Sequence, residues 1–331
     1  MNRVDENSER SFLSRIASLI RFPYGSVLQW DEDASDVPID SERSMIVNVD
    51  TFVASTDQLP GMSPAQVGRK VAVMSLSDLA AKGVVPSALM LSLSVPSDYN
   101  LGDAVEIIRG ASQYCLKNKV HLIGGDTGLA SDVVVTGVAL GLAHPDEIVK
   151  RSGAQPGDIV AVCGMFGLTS VAFKILLEDM QAPPKLTERA LVAAYKPEID
   201  LEIVHKLSSI EAVSSSMDSS DGLGVTLHTM SRHSGVRFEI DSIPAPPDVI
   251  EFAEHHGLDP VDLVFNGGEE FAVVLTIPAN RWLDAVAVGR TGRFAVRRIG
   301  RVVEGEGVVL FHDGAYSPIP DVGYDSLRKW S

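Results

Sequence analysis

The chain has 331 residues, which indicates two domains, because a single hydrophobic core stops growing at about 250–300 residues. Hydrophobic residues make up 45% of the sequence and charged residues 22%, a composition typical of a soluble globular protein. The formal net charge of −16 argues against a nucleic-acid partner, since a broad phosphate-binding face must be basic.

The first half of the chain predicts interleaved helices and strands. Ser63 followed by Pro64 has the form of an N-cap and a first helical position. The predicted elements, in order, are a helix over 12–22 that Pro23 ends, a strand over 44–53, a helix from Ser63 towards Asp78, a strand over 89–95, a helix capped by Asn100, and strands over 120–123 and 133–142.

A stretch rich in glycine, proline and charge over 145–157 separates this half from a second one. We predict domains over 1–146 and 147–331, in an α/β (α+β) fold class. The predicted elements of the second half are a strand over 158–163, helices over 170–180 and 187–194, a strand over 213–217, a helix capped by Ser220 or Asp221, strands over 236–240 and 271–277, a helix over 280–288, and strands over 296–302 and 308–311.

Five short acidic clusters follow or interrupt apolar segments. They lie at 31–33, 50–51, 77–80, 124–127 and 218–222. Carboxylates gathered in one place repel one another unless a cation lies between them. Hard oxygen ligands suit Mg²⁺, which bridges protein carboxylates to substrate phosphates. The clusters therefore predict magnesium-dependent phosphoryl chemistry.

Each cluster also has a plain structural interpretation. Asp218 and Asp221 can converge on one ion at a strand-to-helix turn, or Asp221 caps the helix and Asp218 is solvated. Asp78, inside a helical pattern, faces either a metal or water, because an unpaired carboxylate on an apolar helix face is costly. The glycine pair before Asp126 admits a phosphate or marks an ordinary turn. The acidic run over 31–33 fits a solvated surface equally well.

Other signals limit the chemistry and the location. The eight histidines show no metal-ligand spacing, so we predict no general base. No P-loop or protein-kinase motif is present, so a nucleotide must bind on another scaffold. No apolar run reaches the length of a membrane span, and the start lacks a signal-peptide core. Cys115 and Cys163 lack CxxC spacing. We expect a cytoplasmic protein without a membrane partner.

Taken together and in this order, the clusters resemble those of the thiamine-monophosphate kinase family, in the aminoimidazole-ribonucleotide synthetase-like superfamily. The resemblance runs from about Ser11 to Tyr324. It rests on eight motifs: DEDA at 31–34, VDT at 49–51, SLSDLAAKGVVP at 75–86, LIGGDT at 122–127, RSGAQPGD at 151–158, MDSSDGL at 217–223, NGGEEF at 266–271 and GYD at 323–325.

The resemblance implies a two-domain synthetase-like fold, in which the N-terminal sheet pairs with its twin in a homodimer and ATP with several Mg²⁺ lies between the domains. By matching positions, the implied Mg²⁺ ligands are Asp33, Asn48, Val49, Asp50, Asp78, Asp126, Asp218 and Asp221, with chain oxygens used at Asn48 and Val49. The implied ATP contacts are Gly125, Asp126, Arg151 and Ser220, and Glu269 is the implied substrate contact.

Two departures from the family pattern concern the acceptor. Asp57 stands where the family usually has histidine, and Asp321 lies in the place of an aromatic residue before GYD. We therefore add Asp57 and Asp321 to the predicted substrate-binding residues. The expected activity is direct transfer from ATP to thiamine monophosphate. The alternatives are another ATP-dependent enzyme of the superfamily with a different small phosphorylated substrate, or a non-catalytic nucleotide-binding relative.

Overall fold

The computed structural model describes residues 9–312 and 314–324, and its strands form two separate sheets. The elements around the first sheet are α1 (Glu9–Ile16), β1 (Ser35–Pro38), β2 (Ser44–Val53), α2 (Ala54–Asp57), α3 (Pro64–Ala81), β3 (Pro86–Val95), α4 (Leu101–Lys117), β4 (His121–Leu129) and β5 (Val134–Ala143). The fold is therefore a mixed α/β architecture in two domains, as predicted.

The first sheet has the strand order β1-β2-β5-β3-β4. Its pairs are antiparallel except β3 with β4, which run parallel. Side chains alternate along each strand. On β2, Ile46 and Phe52 are buried on the side that packs against α3, while Val49 on the other side is 67% exposed. Apolar side chains such as Met90 and Leu142 are also exposed on this sheet.

The second sheet has the order β12-β11-β8-β10-β6-β9-β7. All its pairs are antiparallel except β11 with β8. Its elements are β6 (Ile159–Cys163), α5 (Leu168–Glu178), α6 (Pro184–Tyr195), α7 (Ile203–Ser208), β7 (Ser215–Ser219), α8 (Leu223–Ser234), β8 (Arg237–Ile240), α9 (Pro247–His255), α10 (Pro260–Phe265), β9 (Ala272–Ile277), α11 (Trp282–Thr291), β10 (Val296–Val303), β11 (Gly307–His312) and β12 (Ala315–Pro318).

Helix α3 connects the two domains. It begins with a capping box, in which Ser63 Oγ accepts from Gln66 N–H and Gln66 Oε1 accepts from Ser63 N–H. Val71 and Leu76 are buried in the core, and the helix packs against α4, the first sheet and β7 of the second sheet. The C-terminal half of α3 therefore carries Asp78 to the edge of the other domain.

Most predicted elements are confirmed with shifted ends, and the structure differs from the expectations at three places. The opening helix α1 ends at Ile16 instead of running over 12–22. Gly124 to Thr127 form no turn but continue β4, because the parallel partner β3 extends its hydrogen-bonding ladder along them. The N-cap of α8 is Gly222, without a side-chain cap, so neither Ser220 nor Asp221 caps this helix.

The short elements β1, α2, α7, α9, α10 and β12 escaped prediction, because four to nine residues carry too little periodicity. The predicted boundary between 146 and 147 stays a prediction. Asp325 of the GYD motif lies outside the described residues. Across 9–312 and 314–324, no helix is long and apolar enough to cross a membrane.

Candidate metal and nucleotide site

Three predicted ligands meet at the junction of the domains. Carboxylate oxygens of Asp33, Asp78 and Asp218 all lie within 4.8 Å of one another. Asp33 precedes β1, Asp78 lies on α3, and Asp218 lies on β7, where it is 2% exposed. We call these three residues the carboxylate cluster. Residues distant along the chain thus form one buried acidic centre.

Asp33 is the neutralised member of the cluster. Lys82 Nζ lies 2.7 Å from Asp33 Oδ2, and Arg151 Nε donates to Asp33 Oδ1 at 2.7 Å. Burial alone would raise the pKa of Asp33, but Arg151 and Lys82 hold it below its ordinary value. The fully buried Lys82 also pairs with Glu32 and donates to the Ser216 carbonyl at 3.2 Å. Lys82 carries no local signal in the sequence, because its partners lie far away along the chain.

Asp78 and Asp218 retain an excess of negative charge. Burial, followed by repulsion from Asp218, Asp50 and Asp33, raises the pKa of Asp78 well above its ordinary value. Burial and then Asp33 raise the pKa of Asp218 to about 7, even though Ser77 Oγ donates to it at 2.8 Å. A divalent cation would remove this repulsion, so the donor set fits Mg²⁺.

Asn48 and Val49 lie beside the cluster on β2. The Asn48 amide nitrogen donates to the Asp78 carboxylate, while Asn48 Oδ1 is buried with no hydrogen-bond partner among the described residues. Strand β1 pairs with β2 only as far as Val47. Across the described residues, therefore, no strand covers the outer edge of β2 beyond this point. The orphaned Asn48 oxygen is a further donor that suits a metal ion.

A second acidic group adjoins the first. The pKa of Asp221 is raised to about 7 by burial and then by the charges of Glu9 and Asp50. The pKa of Asp50 is raised to about 6, chiefly by burial. Glu9, which carries no motif in the sequence, is placed by helix α1 near the two predicted ligands Asp50 and Asp221. The repulsion among these carboxylates adds to that within the carboxylate cluster, and a bound cation would relieve both.

The loops that carry Ser220 and Glu269 touch through their backbones. Gly222 has φ +118°, and a Cβ at this position would lie 2.3 Å from the Gly267 carbonyl oxygen. Glu269 N–H donates to the Ser220 carbonyl at 2.7 Å. Only glycine permits this approach. The predicted ATP loop and the predicted substrate loop therefore form one surface.

The predicted substrate-binding residues Asp57 and Glu269 are joined through Lys70, and Asp57 also contacts Tyr324. We call these four residues the acceptor wall. Lys70 Nζ lies 2.5 Å from Glu269 Oε1 and donates to the Asp57 carbonyl at 3.0 Å. The Asp57 carboxylate accepts from Val53 N–H at 2.7 Å and from the Tyr324 hydroxyl at 3.2 Å. Asp57 is thus held by protein donors.

Asp321 forms an ion pair with a residue of α8. Its carboxylate pairs with Arg232 at 2.7 Å. Arg232 lies in the last turn of α8, and its guanidinium also donates to Thr229 Oγ1 at 3.1 Å. The Asp321 carboxylate is therefore held by a protein cation, and its role in substrate binding stays a prediction.

Asp126 and Gly125 are separated from the carboxylate cluster. A row of paired residues runs from Asp50 through Gly137 and Leu91 to Gly125. Three strand spacings of about 4.8 Å place β4 about 14 Å from β2. A cavity of about 420 Å³ lies beside Gly125 and Asp126 on this edge strand. Within one chain, Asp126 is therefore not part of the cluster.

Arg151, a predicted ATP contact, is paired with acidic residues of the protein. Its guanidinium donates to Asp33 and to the Asp31 carbonyl, the latter at 2.7 Å, and its backbone N–H donates to Glu32. Burial alone would lower the pKa of Arg151, but Asp33 and then Asp31 raise it above the ordinary value. The guanidinium borders the cluster as a fixed positive charge.

Comparison with known proteins agrees with this architecture. Models of the AIR synthase related protein N-terminal and C-terminal domains match residues 31–143 and 155–313. The thiamine-monophosphate kinase of Nitrosopumilus maritimus is 32% identical over 301 residues, covering 90% of this chain and 94% of that protein.

Solved structures share the fold. The protein tt0281 of Thermus thermophilus superposes with a TM-score of 0.84 at 33% identity, covering 96% of this chain and 100% of that one. AaThiL, solved in complex with AMPPCP and TMP, superposes with a TM-score of 0.82 at 24% identity, covering 98% and 99%. From the extent of the sequence identity, the chain belongs to the thiamine-monophosphate kinase family of the AIR synthase-related proteins.

Proposed function

We propose that this protein transfers the γ-phosphoryl group of ATP to thiamine monophosphate, giving thiamine diphosphate and ADP. One observation carries the proposal. In this chain, which belongs to the thiamine-monophosphate kinase family, carboxylate oxygens of Asp33, Asp78 and Asp218 lie within 4.8 Å of one another. A relative of the same fold was solved with an ATP analogue and TMP, which supports these two substrates.

The chain's own residues provide the binding and the orientation. Asp33, Asp78 and Asp218, with Asn48 Oδ1, Asp50 and Asp221 beside them, would hold Mg²⁺. When bound, Mg²⁺ neutralises the phosphates and aligns the attacking and leaving oxygens. Lys82 and Arg151 keep Asp33 ionised and fixed in place. The loop at Ser220 and Glu269 supplies the surface between nucleotide and acceptor.

The acceptor needs no general base. A phosphate monoester has a second pKa of about 6 and is largely a dianion at neutral pH. Its difficulty is electrostatic, because two unit charges about 4 Å apart repel by about 4 kcal/mol at an effective dielectric constant near 20. The positive charge available in the site therefore decides the rate of transfer. We propose that the phosphoryl group passes directly from ATP to the acceptor, without a phosphoenzyme.

We infer that the active form is a homodimer. The first sheet exposes apolar side chains, including Val49 and Met90, on strands whose other side packs on α3 and α4. Asp126 lies about 14 Å across the same sheet from Asp50, so one chain cannot unite them. A second copy seated on this sheet covers the apolar surface, and the partner subunit's Asp126 completes the ligand set. Since Cys115 and Cys163 are free buried thiols, we place the enzyme in the cytoplasm.

The activity is tested by measuring ADP release with Mg²⁺ and ATP, with and without thiamine monophosphate. We expect thiamine monophosphate to stimulate release and to yield thiamine diphosphate. Indifferent release points to a different acceptor, and no release points to a binding protein. ATP labelled at the γ-phosphate tests the direct mechanism, because label retained on the denatured protein contradicts it.

The shared site is tested by subunit complementation. Asp126→Asn and Asp218→Asn homodimers are each expected to be nearly inactive. In a random 1:1 mixture half the dimers are mixed, and each has one intact site, so about 25% of the wild-type activity returns. If the mixture stays inactive while the dimers exchange subunits, Asp126 acts within its own chain or not at all.

A further inference from the structure

Lys70 carries a buried charge, and the expected chemistry gives this residue no role. It lies on α3 and is 1% exposed. Removing an ammonium from water is costly unless it is paired and hydrogen-bonded. Its two partners are Glu269 Oε1 at 2.5 Å and the Asp57 carbonyl at 3.0 Å. The Lys70 ammonium therefore links residues from two domains at the acceptor wall.

Glu269 has one occupied and one free oxygen. Lys70 takes Oε1, whereas Oε2 is buried without a hydrogen-bond partner among the described residues. The backbone of Glu269 has φ 65° and is held by its N–H bond to the Ser220 carbonyl. Buried carboxylate oxygens normally have donors. The free oxygen indicates a place for a donor that arrives with a ligand.

The rest of the wall is closed by internal bonds. Val53 N–H and the Tyr324 hydroxyl occupy the Asp57 carboxylate, and Tyr324 N–H donates to the Asp221 carbonyl at 3.0 Å. Asp57 therefore contributes shape and contacts Lys70 through its carbonyl. Within the wall, Glu269 Oε2 is the acid oxygen left for recognition.

We propose that Lys70 is a positioning residue for the acceptor, which fixes Glu269 so that its Oε2 accepts a hydrogen bond from an N–H group of the acceptor. This rests on the proposed function, because the aminopyrimidine ring of thiamine monophosphate carries such N–H donors. Lys70 acts through Glu269, and the nucleotide binds elsewhere on the same loop surface.

The test is a kinetic double-mutant cycle with Lys70→Met, Glu269→Gln and the combined variant. We expect Lys70→Met to raise the KM for thiamine monophosphate by at least about tenfold and to leave the KM for ATP within about twofold. In the Glu269→Gln background, the same change is expected to add less than about twofold, because coupled residues are not additive. Lys70→Arg, which keeps the charge, is expected to retain a lower KM than Lys70→Met.

Lys174→Met is the matched control, since Lys174 forms an ion pair of 2.7 Å with Glu178 on α5, away from this wall. Equal rises in both KM values, or additive effects in the cycle, overturn the proposal. If Lys70→Met does not fold because Glu269 is left unpaired, the combined Lys70→Met and Glu269→Gln variant is measured instead, since it lacks the unpaired carboxylate. A tenfold difference in KM between this variant and Glu269→Gln then overturns the proposal. Wild-type protein that does not use thiamine monophosphate refutes the proposed function, whereas an active wild type with an unaffected Lys70→Met refutes this inference alone.

Discussion

The carboxylate cluster and the acceptor wall both contain acidic side chains, but their charges are balanced in different ways. In the cluster, Asp78 and Asp218 repel each other and their pKa values are raised. In the wall, Glu269 is paired with Lys70, and Asp57 is hydrogen-bonded to Val53 and Tyr324. The cluster therefore needs an external cation, whereas the wall is held by internal partners and leaves one oxygen free.

The largest expected effect breaks the internal neutralisation of the cluster. Lys82→Met leaves Glu32 without its ammonium partner and Asp33 with Arg151 alone. Breaking a buried ion pair on one side costs about 3–5 kcal/mol, so we expect a loss of about 3 kcal/mol in unfolding free energy. Urea unfolding measures it. A loss below about 1 kcal/mol, equal to that of Lys174→Met, contradicts the structural role of Lys82.

Asp218→Asn separates activity from stability. We expect kcat at saturating Mg²⁺ to fall about 100-fold, or about 2.7 kcal/mol in barrier, because a carboxylate ligand is lost. In the metal-free protein the melting temperature is expected to rise at pH 8, since the substitution removes a repelled charge. Steady-state kinetics and thermal melts in EDTA measure the two effects. Unchanged kcat removes Asp218 from the site.

The raised pKa values of three carboxylates predict how the stability of the metal-free protein depends on pH. The folded-state pKa values of Asp50, Asp218 and Asp221 are raised to about 6, 7 and 7 from 3.8. The folded state then binds more protons than the unfolded state between about pH 4 and 7, so stability from these groups is lost as the pH rises. Metal-free protein is expected to melt at a lower temperature at pH 8 than at pH 5. Mg²⁺ is expected to raise the melting temperature more at pH 8, because it binds ionised carboxylates. A Mg²⁺ effect that is independent of pH opposes this assignment.

The smallest effect belongs to the acid next to the wall. Burial raises the pKa of Glu270 to about 7 from 4.5, although Gly167 N–H donates to it at 3.0 Å. Because the folded-state pKa of Glu270 is raised, its ionisation destabilises the fold as the pH rises through about 7. Glu270→Gln is expected to be more stable relative to wild type at pH 8 than at pH 5, by a few degrees in melting temperature and equally with or without Mg²⁺. Melts at the two pH values decide it, with the exposed Glu251→Gln on α9 as control.

Local signals in the sequence were sufficient for much of the fold. Ser63 and Pro64 begin α3, and Asn100 caps α4 by accepting from two backbone N–H groups. These features depend on residues a few positions apart, so they are visible without tertiary contacts. The acidic clusters predict metal chemistry, and the motif resemblance implies Asp33, Asp78 and Asp218 as ligands, whereas their proximity is a property of the folded chain.

Residue patterns alone predict the α/β class, most helices and strands, and the acidic segments in which the site lies. Contacts formed on folding set which charged groups meet: Asp126 stays three strands away from Asp50, Asp321 pairs with Arg232, and Lys82 and Lys70 pair with acids far along the chain. The physical reason is that sheet register and helix packing set distances between side chains, whereas local sequence patterns reach only a few residues along the chain.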